Sequence, residues 1–144
     1  MKALALVLLT LSLSHTAFAA DASVDGTKAS ALLQALENAG SSGDCGMGRC
    51  GTSVSNIECS GQRYSHKPNV CQLDVQTETG DSKTIIIKGK KANALIEAAA
   101  DALDESVLLQ CGMENCEGSL KGIDCTEPNG NQEGASPTSC SITE

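Results

Sequence analysis

Apolar residues along this chain follow two rhythms. From Gly26, GTKASALLQAL sets Ala29, Leu32, Leu33 and Leu36 at i, i+3, i+4 and i+7, one face of a 3.6-residue helix. From Gly89, GKKANALIEAA repeats the stripe with Ala92, Leu95, Ile96 and Ala99, and Leu103 extends it. Asp25 or Thr27 is placed to cap the first helix, and Gly40 to end it in a left-handed turn. Elsewhere the period is two. Cys71, Leu73 and Val75 alternate with Gln72, Asp74 and Gln76, and Cys140 and Ile142 with Ser141 and Thr143. Ile57 and Cys59 flank Glu58 as Ile123 and Cys125 flank Asp124, while Val54 and Leu120 have the opposite parity, which predicts a shared bulge or bend. TGDS (79–82) reads as a turn and KTIIIKG as a strand entering the second helix. VLLQ (107–110) is either a last helical turn or a buried connector.

These patterns occur in the same order twice. The helix starts match at an offset of 63, CGMGRC (45–50) matches CGMENC (111–116) at 66, and NIEC (56–59) meets GIDC (122–125) at 66. CQLDV from Cys71 meets CSITE from Cys140 at 69. The reading is an internal duplication, with repeat units at 21–82 and 83–144 forming one compact domain. Each unit is a strand, a helix and a two-strand hairpin. The expected fold is α+β, with helices packed on antiparallel sheet.

The first 20 residues break from this scheme. MKALALVLLTLSLSHTAFAA has one basic residue, an apolar run interrupted by polar residues, and Ala17 and Ala19 in an A-x-A arrangement. That is the pattern of a cleaved secretory signal, too short in unbroken apolar length for a membrane span. Removing it takes away Lys2, so the net charge moves from −8 to about −9. A chain this acidic repels phosphate, which argues against nucleic-acid binding. The mature chain keeps a single aromatic, Tyr64, and a single histidine, His66. A core without aromatics buries less area per residue, which gives disulfides a larger share of the stability.

Eight cysteines follow the signal segment: Cys45, Cys50, Cys59, Cys71, Cys111, Cys116, Cys125 and Cys140. An even count behind an export signal predicts disulfides and no free thiol. A redox pair needs two intervening residues at a helix start, whereas here four intervene after a helix. Zinc favours two tight pairs, and Cys59 and Cys71 stand too far apart in sequence. If each repeat pairs within itself three schemes are open, and two of them stand out. In one, Cys59 bonds Cys71 and Cys45 bonds Cys50, repeated as Cys125 with Cys140 and Cys111 with Cys116. In the other, Cys45 bonds Cys59 and Cys50 bonds Cys71.

Serine-nucleophile chemistry lacks a histidine other than His66, and no carboxylate pair can be placed in a cleft, so no enzyme is expected. Glu127, Asn129 and Asn131 alternate as calcium ligands do, without the glycine and glutamate that complete a calcium loop. Asp101, Asp104 and Glu105 read as a solvated helix end. Neither metal nor cofactor is expected. Arg63, Tyr64, His66 and Lys67 form the one basic, aromatic patch, in the polar loop SGQRYSHKPN. They are the candidate binding residues for a protein partner outside the cytoplasm, because tyrosine and arginine dominate interface hot spots.

The G-x-K-A-x-A-L helix start followed by a cysteine-bearing hairpin resembles that of small secreted bacterial proteins. Tandem α+β repeats stapled by disulfides are also similar in outline to the β-lactamase inhibitory proteins. The first resemblance implies a secreted or periplasmic location, the second an inhibitory or binding role exercised through a concave sheet. This chain departs from that family in lacking an aromatic-rich sheet, having Tyr64 alone. The expected protein is a monomeric, exported, non-enzymatic binding or inhibitory module. An envelope or secreted structural component is the alternative, and a hydrolase the more distant one.

Overall fold

The computed structural model describes residues 21–41, 43–46, 49–76, 80–104, 108–128 and 137–144. The signal segment, residue 105 and most of the calcium-like loop lie outside them. In chain order the elements are β1 (Ala22–Asp25), α1 (Thr27–Ala39), β2 (Asp44–Gly46), β3 (Arg49–Gln62) and β4 (Val70–Gln76). They continue as β5 (Ser82–Lys88), α2 (Lys90–Leu103), β6 (Gln110–Cys111), β7 (Asn115–Pro128) and β8 (Ser139–Thr143). The architecture is α+β: two helices lie on one face of an antiparallel sheet ordered β1-β8-β7-β3-β4-β5, with β2 paired to β3 and β6 to β7.

Both helices form where their stripes predict. Ala29, Leu32, Leu33 and Leu36 are buried in α1, and Ala92, Leu95 and Ala99 in α2, while Ile96 and Leu103 pack at the edge of the core. Neither Asp25 nor Thr27 caps α1. Gly26 holds the N-cap position at φ 68° and no side chain bonds the helix start. Gly89 does the same for α2 at φ 59°. Each glycine turns the chain from strand to helix within one residue, a conformation that a side chain resists, so the cap residue has no room to act. The carbonyls of Gly26 and Gly89 accept the first helical bonds, from Ser30 N and Asn93 N, both at 2.9 Å. Gly40 ends α1 in the left-handed region as expected, with Ser41 N donating to Leu36 O at 3.1 Å in a Schellman arrangement. Beyond α2, Leu108 is fully buried, so this part of 107–110 is a connector rather than helix.

The long strands β3 and β7 form the middle of the sheet, in register from Arg49↔Pro128 to Gln62↔Asn115. The parity change at Val54 is a bulge: β3 slips against β4 between Ser55 and Glu58, and Asn56 sits at φ 48°. The slip lets Val54 and Ile57 face the helices together, opposite Ile123 and Leu120. The expected two-strand hairpins are more elaborate than predicted, because the short strands β2 and β6 each add a hairpin before the long strand.

Strands β1 to β4 with α1 recur in order as β5 to β8 with α2. The opening strand of each half pairs with the closing strand of the other: β1 with β8, and β5 with β4. Neither half completes its sheet edge alone. The cystines follow the first pairing scheme. Cys59 bonds Cys71 and Cys125 bonds Cys140, each with Cα atoms 4.1 Å apart, and Cys111 bonds Cys116. Cys50 is disulfide-bonded, with Cys45 its backbone register partner. The alternative through Cys59 and Cys50–Cys71 is thereby ruled out. Four of these cysteines belong to the core itself, where sulfur fills volume that aromatics occupy elsewhere.

Candidate functional site

With the helices on one face, the other face of the sheet is open and polar. Its exposed positions include Ser55, Asn56, Glu58 and Ser60 on β3, Gln72 on β4, Thr84 and Ile86 on β5, and Glu117, Ser119 and Lys121 on β7. Asp74 links three of these strands. Its carboxylate accepts from Asn56 Nδ2 at 2.8 Å and from Thr84 Oγ1 at 2.5 Å. These bonds hold the Asp74 carboxyl below its ordinary value of 3.8, the Asn56 bond contributing most. One oxygen holds Asn56 at the bulge and the other holds Thr84 on β5, so this carboxylate serves the scaffold.

Residues 63–69 join β3 to β4 at one end of the sheet. Tyr64 is 80% exposed, with the Arg63 guanidinium 5.7 Å from its ring centroid, within cation–π range. His66 and Lys67 are exposed, and Lys67 N donates to Ser65 Oγ at 3.0 Å. The base of the loop is tied down. Asn69 O accepts Gly89 N at 2.9 Å, and Asn69 Nδ2 donates to Asn93 Oδ1 at 2.9 Å on α2. Gly61 makes room for this anchor: a Cβ there would lie 2.1 Å from Asn69 Oδ1.

A second turn joins this end. Arg63 N donates to Glu114 O at 3.0 Å, and the register partners Gln62 and Asn115 bring the β6–β7 hairpin alongside the loop. That hairpin is closed by the Cys111–Cys116 cystine and by Gly112 N donating to Asn115 O at 2.9 Å. At its tip Met113 is 91% exposed. Tyr64, Met113 and Ile86 are the exposed large hydrophobic residues among those described, and two of the three share one end of the molecule. Sequence reasoning took the CGMENC word for its cysteines and passed over Met113. The signal was present, since the same word carries methionine at the same place in both copies.

From this end a groove runs onto the open face. One depression of about 560 Å³ has Glu58, Ser60, Gln72, Ile86, Glu117 and Ser119 among its lining residues. A second of about 280 Å³ continues it toward the loop, sharing Ser60, Val70 and Glu117 and adding Gln62, Lys67, Pro68 and Asn115.

The remaining acidic groups are plainly placed. Asp104 takes an exposed ion pair from Lys28 at 2.6 Å, joining the two helices, and Asp101 is exposed. Among the described residues no group of three or more His, Cys, Asp or Glu side chains is arranged to hold a metal, and no helix is long and apolar enough to cross a membrane. No protein family, curated protein or solved structure matches the chain.

Proposed function

We propose that this is an exported, non-enzymatic binding module, built by tandem duplication and held by disulfides. It recognises a protein partner in the periplasm or outside the cell through the end that carries Arg63, Tyr64 and Met113. The carrying observation is that the two most exposed large hydrophobic side chains, Tyr64 and Met113, stand on adjacent turns that are each anchored. Tyrosine, methionine and arginine are enriched in interfaces, and rigid turns lower the ordering entropy lost on binding. His66 and Lys67 supply a polar rim. Cystines throughout the sheet support an oxidising compartment. The protein acts as a monomer.

Immobilised mature protein should retain one saturable partner from periplasmic or extracellular extracts. Tyr64→Ala and Arg63→Ala should each weaken that complex about tenfold or more. Because Tyr64 is 80% exposed, its truncation removes little buried area and should change unfolding free energy by no more than about 1 kcal/mol. Retention of nothing saturable by the wild type would favour an envelope or secreted structural component. Undiminished binding by both variants would move the site elsewhere.

A further inference from the structure

We infer that the partner meets this end of the molecule with a cluster of carboxylates, and that Lys88, Lys90 and Lys91 extend the basic surface from the loop to the start of α2. This rests on the binding-module reading and adds the chemistry of what is bound. Of the ten lysines and arginines, all but Lys2 follow the signal segment, and five of those gather here: Arg63, Lys67, Lys88, Lys90 and Lys91. Two hydrogen bonds set the loop beside the helix start, Gly89 N to Asn69 O and Asn69 Nδ2 to Asn93 Oδ1, both 2.9 Å. A Cβ on Gly89 would lie 3.7 Å from that of Pro68, the neighbour of Lys67. All five cations are exposed, and among the described residues none has a carboxylate within ion-pair distance.

The corresponding turn into α1 serves as a control. There Gly26 N donates to Thr138 O at 2.9 Å, as Gly89 N does to Asn69 O. That turn reads Asp25-Gly26-Thr27-Lys28, and this one Lys88-Gly89-Lys90-Lys91. Lys28 is also neutralised by Asp104 at 2.6 Å. Folding of the turn needs the glycine, since neither helix start uses a side-chain cap. Three lysines here repel one another and oppose the dipole at the helix start, so the scaffold gains nothing from them. Exposed charges of this kind select the sign of a partner and speed its approach. An anionic bilayer has the right sign but the wrong extent, because Glu114 and Glu117, exposed on the adjoining hairpin, would face it too. A compact carboxylate cluster on a protein can meet the lysines and clear the hairpin. Glu117 shares a cross-strand row with Lys88 but stands three strands away, about 14 Å.

The test follows labelled mature protein by NMR with three blocked pentapeptides, Ac-EELEE-amide, Ac-QQLQQ-amide and Ac-KKLKK-amide. At about 0.1 M salt, screening over about 10 Å damps repulsion from the rest of this acidic chain. The acidic peptide should give saturable shifts at the amides of Arg63, Lys67, Lys88, Lys90 and Lys91, and bind about fivefold more tightly than either other peptide. The triple variant Lys88→Gln/Lys90→Gln/Lys91→Gln should lose most of that preference. Its melting should be unchanged or slightly raised, because the side chains are exposed and the helix start sheds opposing charge. No saturable shift at millimolar peptide, equal binding of the acidic and neutral peptides, or a preference that survives in the triple variant would overturn the proposal. So would sedimentation through these lysines with vesicles of phosphatidylglycerol and phosphatidylcholine when the acidic peptide does not bind. A natural partner weakened by Tyr64→Ala but indifferent to the triple variant at low salt would sink the acidic cluster and leave the tip site standing. One weakened by the triple variant but indifferent to Tyr64→Ala would do the reverse.

Discussion

The cross-strand cystines are unequal, and their inequality can be measured. Replacing both Cys125 and Cys140 by alanine opens a loop with a sequence separation of 15. Chain-entropy arithmetic puts the stabilisation from closing such a loop at about 3 kcal/mol. Both residues are also buried, at 1% and 2% exposure, so removing two sulfurs leaves a small void that adds about 1 kcal/mol. The Cys111–Cys116 separation is 5, for which the same arithmetic gives about 2 kcal/mol, and Cys111 is exposed. The first loss reaches further into the fold. Among the described residues β8 is the sole sheet partner of β1, so loosening β8 releases the edge that leads into α1. For a domain of this size each kcal/mol moves the melting temperature by about 3–5 °C. Cys125→Ala/Cys140→Ala should therefore melt about 10–20 °C below the wild type, and Cys111→Ala/Cys116→Ala about 5–10 °C below it. Circular dichroism under non-reducing conditions, with urea titration to check that m is unchanged, gives both numbers. Equal losses for the two pairs, or a larger loss at Cys111–Cys116, would refute the argument from loop size and burial.

Two other perturbations follow from hydrogen bonds on the open face and at the loop base. The folded-state value of Asp74 lies below its unfolded one, so its contribution is complete above about pH 4 and fades as pH falls through the folded value. Asp74→Asn should thus be less stable than wild type at neutral pH, with the gap closing in acid; urea midpoints that differ by a constant amount down to about pH 2.5 would contradict this. Gly61→Ala forces its new Cβ against Asn69 and should destabilise by about 1–3 kcal/mol. It should also speed hydrogen exchange at the Gly89 amide bonded to Asn69, and unchanged exchange there would show that Asn69 does not anchor the loop.

What the sequence made legible was governed by local periodicity. The stripes at Leu32, Leu36 and Leu95 needed only a helical period, and the alternation around Cys59 and Cys71 placed both sulfurs on one face before any pairing was known. The parity slip at Val54 announced a bulge because a side chain that must face the core betrays a change of register. Features that depend on distant partners escaped. The pairing of β1 with β8 joins residues more than a hundred apart, and no local pattern encodes it. Strands β2 and β6 are three and two residues long, too short to show a period. The helix starts misled for a different reason. Asp25 and Thr27 are good capping types, yet the strand-to-helix turn demanded glycine at the position between them. The basic, aromatic loop stood out by composition, but its neighbour Met113 and the groove beyond it depend on the β3–β7 register.

That register also bears on why one end of the molecule would be the working end. Pairing Arg49 with Pro128 and Gln62 with Asn115 gives the two ends of the central strand pair the same construction. At the Gln62 end the β6–β7 hairpin of one half meets the 63–69 connection of the other, and at the Arg49 end the paired strands that carry Cys45 and Cys50 lie beside the last residues of β7. The frames are alike; the contents are not. One connection, SGQRYSHKPN, carries Arg63, Lys67 and the single mature-chain tyrosine. The other, TEPNGNQEGASPTS, carries Glu127 and Glu133 and no aromatic. A purely structural component gains nothing from opposite charge on two ends built to one plan, since the core residues Val54, Ile57, Leu120 and Ile123 that hold the plan together are matched in kind. Where the scaffold is matched and the tips are not, the tips are the place to look for recognition, and the basic, aromatic one has the chemistry to anchor a partner. Exchanging residues 60–69 with residues 126–139 would carry this argument into an assay. Partner binding should follow the RYSHK segment to the other end of the sheet, and binding that stayed with the original end would show that the frame rather than the loop is what the partner reads.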